Sequence, residues 1–331
     1  MVKQLITEIF SINVSEQLEA LSLKVFRFQY ENNLIYRDFV NNLGISNREV
    51  RSIRDIPFLP VEVFKKHKVI SGNEKVQAVF KSSGTTGGLG SSHVITDLSV
   101  YNRSFTNCFE LFYGKPSNYC ILALLPSYLD NAESSLIYMV DEFIKSSGHP
   151  DGGFYLDNLN ELEEKLSELS NRGDQILLFG VSFALLDFCA KKSAKNIDWS
   201  NVTVMETGGM KGRRKEIIRA DLHKQLMEVL KVKSIHSEYG MTELLSQSYS
   251  KGEGLFNSPP WKKVLIRDVN DPLSYVDYGM RGGINIIDLA NIYSCAFIST
   301  ADLGLAYENG SFEVLGRFDN SDLRGCNLLL E

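Results

Sequence analysis

Lys81-Ser82-Ser83-Gly84-Thr85-Thr86-Gly87-Gly88-Leu89-Gly90-Ser91-Ser92 carries four glycines and six hydroxyl residues in one short run. Such a segment packs no core. It offers many backbone N–H groups and hydroxyls to an anion at close approach. A Gly/Ser run alone reads best as a flexible surface loop, but the flanks here change the weighing. The apolar run Val76-Gln77-Ala78-Val79-Phe80 before it reads as a strand, and Asp97-Leu98-Ser99 after it reads as a helix start. That setting suits a phosphate loop. It is not a Walker loop: no Gly-Lys-[Ser/Thr] follows, so the phosphate-touching lysine of those proteins has no counterpart.

Outward from this loop, strand and helix patterns alternate. Strand candidates lie at 76–80, 119–125, 175–179, 202–206 and 234–236. Helix candidates fall at 98–113, 133–147, 158–171, 183–192 and 213–230, the last with Ile217, Ile218, Leu222, Leu226, Val229 and Leu230 at helical spacing. The alternation predicts an α/β fold with mostly parallel sheets flanked by helices. Upstream, residues 1–55 read as helical, with a start at Ser15-Glu16-Gln17-Leu18 and a stop at Gly44. Downstream of about residue 245, short strands at 263–267, 283–288, 295–299, 305–308 and 312–315 are punctuated by Gly, Pro, Asn and Asp. Glu308-Asn309-Gly310-Ser311 is a hairpin signal. The expected organisation is a helical lead-in and α/β nucleotide-binding region over 1–250 and a β-rich C-terminal subdomain over 251–331, together one compact unit.

Composition narrows the class. The 331 residues are 44% hydrophobic and 23% charged, ordinary globular values. A net charge of −6 favours neither nucleic acid nor acidic membranes as partner. Five cysteines, at 108, 120, 189, 295 and 326, show no metal-ligand spacing, which argues for a reducing compartment and against zinc. The N-terminus lacks a signal peptide's apolar core, and the apolar run 119–125 is too short to span a bilayer. A cytoplasmic location is expected.

Three further stretches carry chemistry. Tyr239-Gly240-Met241-Thr242-Glu243 sits just past a predicted strand, where open α/β sheets bind ligands. Its aromatic ring, glycine, hydroxyl and carboxylate suit adenine, close approach, a phosphate oxygen and Mg²⁺; read blandly, it is a polar turn capping a helix at Thr242 or Glu243. Ser299-Thr300-Ala301-Asp302-Leu303-Gly304 offers a carboxylate to a ribose diol, or forms an Asx-type turn. Gly316-Arg317-Phe318-Asp319 is followed by Arg324-Gly325-Cys326. A rival lies in Gly180-Val181-Ser182-Phe183-Ala184, which nearly matches the nucleophile elbow of α/β-hydrolases, although Ser182 reads more simply as a helix cap. His93 closes the hydroxyl loop, where it could approach phosphate; His67 reads as exposed, and His149 sits in a turn before Pro150 that could lie at the sheet's edge near the active site, though nothing in the sequence requires it.

A Ser/Thr/Gly loop, Tyr-Gly-x-Thr-Glu, Thr-x-Asp-x-Gly and Gly-Arg-x-Asp, in that order, resemble the adenylate-forming superfamily of acyl-CoA synthetases and luciferases over roughly 75–325. Glu206-Thr207-Gly208-Gly209-Met210-Lys211-Gly212-Arg213 and the ending at Arg324-Gly325-Cys326-Asn327 look like the acyl-protein synthetase (LuxE-type) family within it. That resemblance implies ATP-dependent activation of a carboxylic or fatty acid as acyl-adenylate, with acyl transfer through the chain's own Cys326 to a reductase. Ser82, Ser83, Gly84, Thr85, Thr86 and Gly87 would cradle pyrophosphate. Gly208 and Gly209 would line the adenine and acyl site, and Tyr239 and Gly240 would border adenine. Thr242 would touch the α-phosphate, Glu243 would hold Mg²⁺, Asp302 would bind the ribose and Arg317 would sit beside it.

Two departures follow from the resemblance. The superfamily's usual Pro-Lys after the loop glycines is replaced by Gly88-Leu89-Gly90, and the chain stops where the superfamily's separate lysine-bearing C-terminal domain would begin. The cation bridging carboxylate and α-phosphate is therefore expected from the Lys211, Arg213 and Arg214 cluster, unless that cluster is only a solvated helix turn. The alternatives are a ligase that delivers acyl to coenzyme A or a carrier protein, and a non-catalytic nucleotide sensor. Phe179, Phe183, Leu185 and Leu186 line an acyl tunnel or are plain core.

Overall fold

The computed structural model describes residues 2–82, 90–126, 131–191, 196–208 and 217–318. Helices α1 (Val2–Ile9), α2 (Ser15–Asn32) and α3 (Leu34–Asn42) form the lead-in. Gln17 closes the start of α2, its side-chain oxygen accepting the Asn13 N–H at 2.8 Å. Gly44, at φ +70°, turns the chain away after α3 in a conformation glycine adopts without strain. The short β1 (Leu59–Pro60) and α4 (Val63–Lys66) follow.

The glycine-rich loop is held by an antiparallel ribbon of β2 (Ala78–Lys81) and β3 (Ser92–Ile95), with Lys81 opposite Ser92. At its neck the Ser82 N–H donates to Ser91 O at 3.0 Å and the Ser91 N–H to Ser82 Oγ at 2.8 Å. The expected strand–loop–helix order is thus corrected to strand–loop–strand–helix. Strand β3 is short and half polar, and its ladder partner rather than its composition makes it a strand. Helix α5 (Leu98–Tyr113) then begins at Asp97, whose carboxylate accepts the Ser99 N–H at 3.0 Å.

The main sheet comprises β4 (Cys120–Leu124), β5 (Gly153–Phe154), β6 (Ile176–Val181), β7 (Val202–Thr207) and β8 (His236–Tyr239), parallel in the order β5-β4-β6-β7-β8. Strand β9 (Ser248–Ser250) closes it antiparallel to β8. Every residue of β4 and β6 is buried, as parallel strands covered on both faces require. The covering helices include α6 (Ser135–Ser147), α7 (Leu159–Arg172), α8 (Ser182–Lys191) and α9 (Arg219–Leu230). Ser134 and Asn158 cap the starts of α6 and α7, and left-handed Gly148 and Gly173 end them. Phe179, Phe183, Leu185 and Leu186 all belong to the buried core.

The second sheet runs β10 (Leu255–Phe256), β14 (Phe312–Arg317), β13 (Phe297–Ala306), β12 (Gly282–Asp288) and β11 (Lys262–Arg267), with each of these neighbours antiparallel. The two strands expected at 295–299 and 305–308 are one strand, β13, so Asp302 lies in a ladder and not in an Asx turn. Gly304 suggested a break because glycine usually punctuates. Here it serves close approach, since a Cβ on it would stand 2.4 Å from Glu313 O. The hairpin at 308–311 forms as expected: the Tyr307 N–H donates to Ser311 O at 2.9 Å, and Gly310 takes φ +85°.

The lead-in is tied to this second sheet. Strand β1 adds to it in parallel, Leu59 opposite Ile298. Buried Gln29 donates to Asn291 O at 2.9 Å and Ile292 O at 3.0 Å, and accepts the Ala296 N–H at 2.9 Å. Tyr36 stacks on Phe297 with ring centroids 6.0 Å apart. Among the described residues no helix is long and apolar enough to cross a membrane.

Candidate active site

Strands β6, β7 and β8 end side by side, and the chain leaves them at Ser182, Gly208 and Gly240. This carboxyl edge is where open parallel sheets bind ligands. Strand β8 runs further than its polar sequence suggested. His236-Ser237-Glu238-Tyr239 pairs with β7 on one side and β9 on the other, so Tyr239 ends the strand and does not follow it. After it, residues 241–244 make a turn closed by the Leu244 N–H to Met241 O bond at 3.0 Å, and no helix starts at Thr242 or Glu243.

The second sheet brings its residues to the same place. Tyr239 donates its hydroxyl to Asp302 Oδ2 at 2.7 Å. Arg317, opposite Asp302 across β13 and β14, places Nε 3.5 Å from Asp302 Oδ1. Burial raises the Asp302 carboxyl above its usual range, against the pull of Tyr239 and Arg317. Glu243 is also buried and raised, with the Ser91 hydroxyl and the Arg317 charge acting the other way. Arg317 thus acts on both carboxylates, and Ser91 links Glu243 to the neck of the glycine-rich loop. Phe256 and Phe312 pack 5.8 Å from the Tyr239 ring, and Lys262 Nζ lies 5.5 Å from its centroid.

Of the residues expected from sequence, Tyr239, Gly240, Thr242, Glu243, Asp302 and Arg317 therefore gather at the junction of the two sheets, with Ser82 at the ribbon's neck and Gly208 at the end of β7. Ser83, Gly84, Thr85, Thr86, Gly87, Gly209, Lys211 and Cys326 lie outside the described residues. Cys108, Cys120 and Cys295 are buried, and burial pushes the Cys120 and Cys295 thiols up to about 12. That leaves little thiolate for chemistry.

Several residues at this edge carry no motif. Glu206 at the end of β7 is buried; burial opposes its charge, but the His223 hydrogen bond and the Arg219 guanidinium hold its carboxyl below the usual range. Arg219 Nε stands 3.1 Å from it and His223 Nε2 3.5 Å. Ser182 donates to Gly208 O at 2.7 Å, with Glu206 Oε2 at 3.1 Å. The elbow reading fails here: Ser182 is buried beside a carboxylate, and its hydroxyl is spent on the Gly208 carbonyl at the end of β7. Glu238 accepts the Thr207 hydroxyl, and burial raises its carboxyl to about 7. Gly240 passes close beside it, and a Cβ there would stand 2.5 Å from Glu238 Oε1, so the carboxylate would have to shift. His93 does not reach for phosphate. It is 1% exposed and its Nδ1 lies 2.8 Å from Thr242 O. Periodicity hides these groups, since single polar residues inside strands resemble noise.

Among the described residues no group of three or more His, Cys, Asp or Glu gathers around a metal position. A divalent ion here would rest on the Glu243 carboxylate together with phosphate oxygens and waters, the usual manner for Mg²⁺. A buried carboxylate with few donors fits that role.

The family described as "Acyl-protein synthetase, LuxE" matches residues 9–331. No curated protein matches the chain by sequence. The fold is similar to that of ATP-bound MatB from Rhodopseudomonas palustris, at TM-score 0.56 and 15% identity over 74% of this chain and 49% of that one. It is also similar to 2-hydroxyisobutyryl-CoA ligase in complex with 2-HIB-AMP and CoA, at TM-score 0.67 and 12% identity over 93% and 72%. The amide bond synthetase McbA from Marinactinospora thermotolerans aligns at TM-score 0.53 and 16% identity over 75% and 50%. The chain spans about half the length of the MatB structures it matches. At these identities the likeness establishes the α/β fold of adenylate-forming enzymes.

Proposed function

The chain belongs to the acyl-protein synthetase (LuxE) family, and from that premise we propose that it is an AMP-forming ligase that activates a carboxylic acid with ATP and passes the acyl group to a protein thiol. One observation carries the reading: Tyr239, Asp302, Arg317 and Glu243 converge at the carboxyl edge of the parallel sheet, beside the neck of the glycine-rich loop. In the first half-reaction the substrate carboxylate, ionised at pH 7, attacks the α-phosphorus. A carboxyl C–O–P link forms, the bond to the β-phosphate oxygen breaks and pyrophosphate leaves. Negative charge gathers on the five-coordinate centre, and aligned donors and cations lower that barrier.

Ser82 to Gly87 would hold the pyrophosphate end, and Gly208 and Gly209 the adenine and acyl groups. Tyr239 and Gly240 would border adenine, Asp302 would take the ribose diol with Arg317 beside it, and Thr242 would meet the α-phosphate. Lys211 would supply the bridging cation. Mg²⁺ bound at Glu243 would neutralise phosphate charge. In the second half-reaction the Cys326 thiolate attacks the acyl carbonyl and AMP leaves. The fatty character of the acid and the reductase as final acceptor rest on the family resemblance.

The test is ATP–pyrophosphate exchange across a series of carboxylic acids, with intact-mass measurement after incubation with ATP, Mg²⁺ and a fatty acid. Exchange should be acid-dependent and should fall by about a hundredfold or more in a folded Glu243→Gln variant. A hydroxylamine-sensitive adduct should form and vanish in Cys326→Ser. An adduct surviving that substitution would move the acceptor elsewhere. Exchange with no adduct would point to coenzyme A or a carrier protein, and no exchange with any acid would leave a nucleotide-binding protein.

A further inference from the structure

Behind the Thr242–Glu243 turn lies a small, partly open cavity of about 10 Å³, lined by His93, Thr96, Asn291, Val100 and Leu245 among others. His93, Thr96 and Asn291 are 1%, 3% and 0% exposed. Each presents one side-chain atom with no hydrogen-bond partner among the described residues: His93 Nε2, Thr96 Oγ1 and Asn291 Oδ1. All three residues line this one small cavity, and a buried polar group without a partner is costly, so a common explanation is needed.

The other ends of these side chains fix what the cavity needs. His93 Nδ1 lies 2.8 Å from Thr242 O, and a carbonyl only accepts, so Nδ1 carries the hydrogen. Burial pushes the imidazole down to about 4, so the ring is neutral and Nε2 is a bare acceptor. Asn291 Nδ2 donates to Glu243 O at 2.7 Å, which leaves Oδ1 as an acceptor. Flipping the amide would set two oxygens against each other. Thr96 Oγ1 carries a hydrogen to give. The lining residues therefore offer two acceptors and one donor beside a space the size of a single water.

We propose that one ordered water sits there, donating to His93 Nε2 and Asn291 Oδ1 and accepting from Thr96 Oγ1, so that His93 and Asn291 act as a water-bridged clamp on the Thr242 and Glu243 carbonyls. Both are positioning residues. His93 sits on β3, on the ribbon that holds the glycine-rich loop, and its ring is pinned edge-on by Phe64 at 5.6 Å. Asn291 sits in the short turn after β12. The clamp thus ties the ribbon and the second sheet to one turn.

Two measurements read the clamp without activity. High-resolution diffraction of the whole chain should show one water within hydrogen-bond distance of the three atoms, and nitrogen NMR of labelled histidine should find His93 protonated at Nδ1 alone at neutral pH. An empty cavity, or hydrogen on Nε2, would overturn the proposal. The kinetic arm rests on the adenylation reading. His93→Leu should lower kcat for pyrophosphate exchange about tenfold while KM for ATP stays within about twofold, and His93→Asn, which keeps a donor for Thr242 O, should recover most of it. Equal losses in the two variants would remove the clamp from turnover. If the wild-type protein shows no exchange at all, the adenylation reading fails, while the water and tautomer measurements still decide the site.

Discussion

Glu238 shows how one buried carboxyl sets a property that no motif signals. It stands between Thr207 and Gly240, accepts the Thr207 hydroxyl, and titrates near 7 because burial disfavours its charge. Its folded value lies above its unfolded value, so the folded state holds the proton longer as pH rises. The stability it contributes is complete below about 4.5 and is lost as pH climbs towards 7. Thermal melts of the wild type between those limits should therefore lose stability that Glu238→Gln retains, by up to roughly 3 kcal/mol. Parallel melting curves for the two proteins across that range would show that Glu238 ionises freely in the fold. The sequence marked Tyr239, Gly240 and Glu243 as a set, yet Glu238, their neighbour, carried no signal. Its role comes from the strand that surrounds it.

Strand β13 makes the same point for an element. Its residues read as two short strands, because Asp302 and Gly304 are turn formers by composition. Paired between β12 and β14, they lie in one ladder with a register shift at Leu303 and Gly304. Gly304 lets the backbone pass close to Glu313 O and Ile284 Cδ1, which a Cβ would approach to 2.4 and 2.7 Å. Gly304→Ala should destabilise the protein by about 1–3 kcal/mol and weaken nucleotide binding, because the Asp302–Arg317 pair lies on the ladder right beside this shift. Denaturant unfolding and an ATP-binding titration would check both, and an unchanged midpoint would mean that the ladder yields locally. Helices were easier to read. The spans 98–113, 133–147 and 158–171 lie close to α5, α6 and α7, and Asp97 marks the start of the first, because capping needs only neighbours in the chain.

Across the whole molecule, the lead-in helices and the second sheet are joined by Gln29, whose amide satisfies carbonyls after β12 and the N–H of Ala296. Gln29→Leu keeps the volume but strands those buried groups, and should cost about 2–4 kcal/mol. If residues 1–250 and 251–331 form one compact unit, as the sequence led us to expect, unfolding followed by fluorescence and by circular dichroism should coincide in a single transition in both proteins. Two separated transitions would divide the chain. The sequence by itself determined the α/β class, the glycine-rich loop, most helix ends and the ordered motifs that mark the family, because periodicity, caps and motif order are properties of short segments. Only the tertiary structure decided that Tyr239 meets Asp302, that the Arg317 charge acts on two carboxylates, that Ser182 bonds the Gly208 carbonyl, and that His93 and Asn291 hold the Thr242 and Glu243 carbonyls. The residues His93 and Thr242, for example, are far apart along the chain. Contacts at such separation arise when two sheets pack, and burial then sets each group's charge and partner.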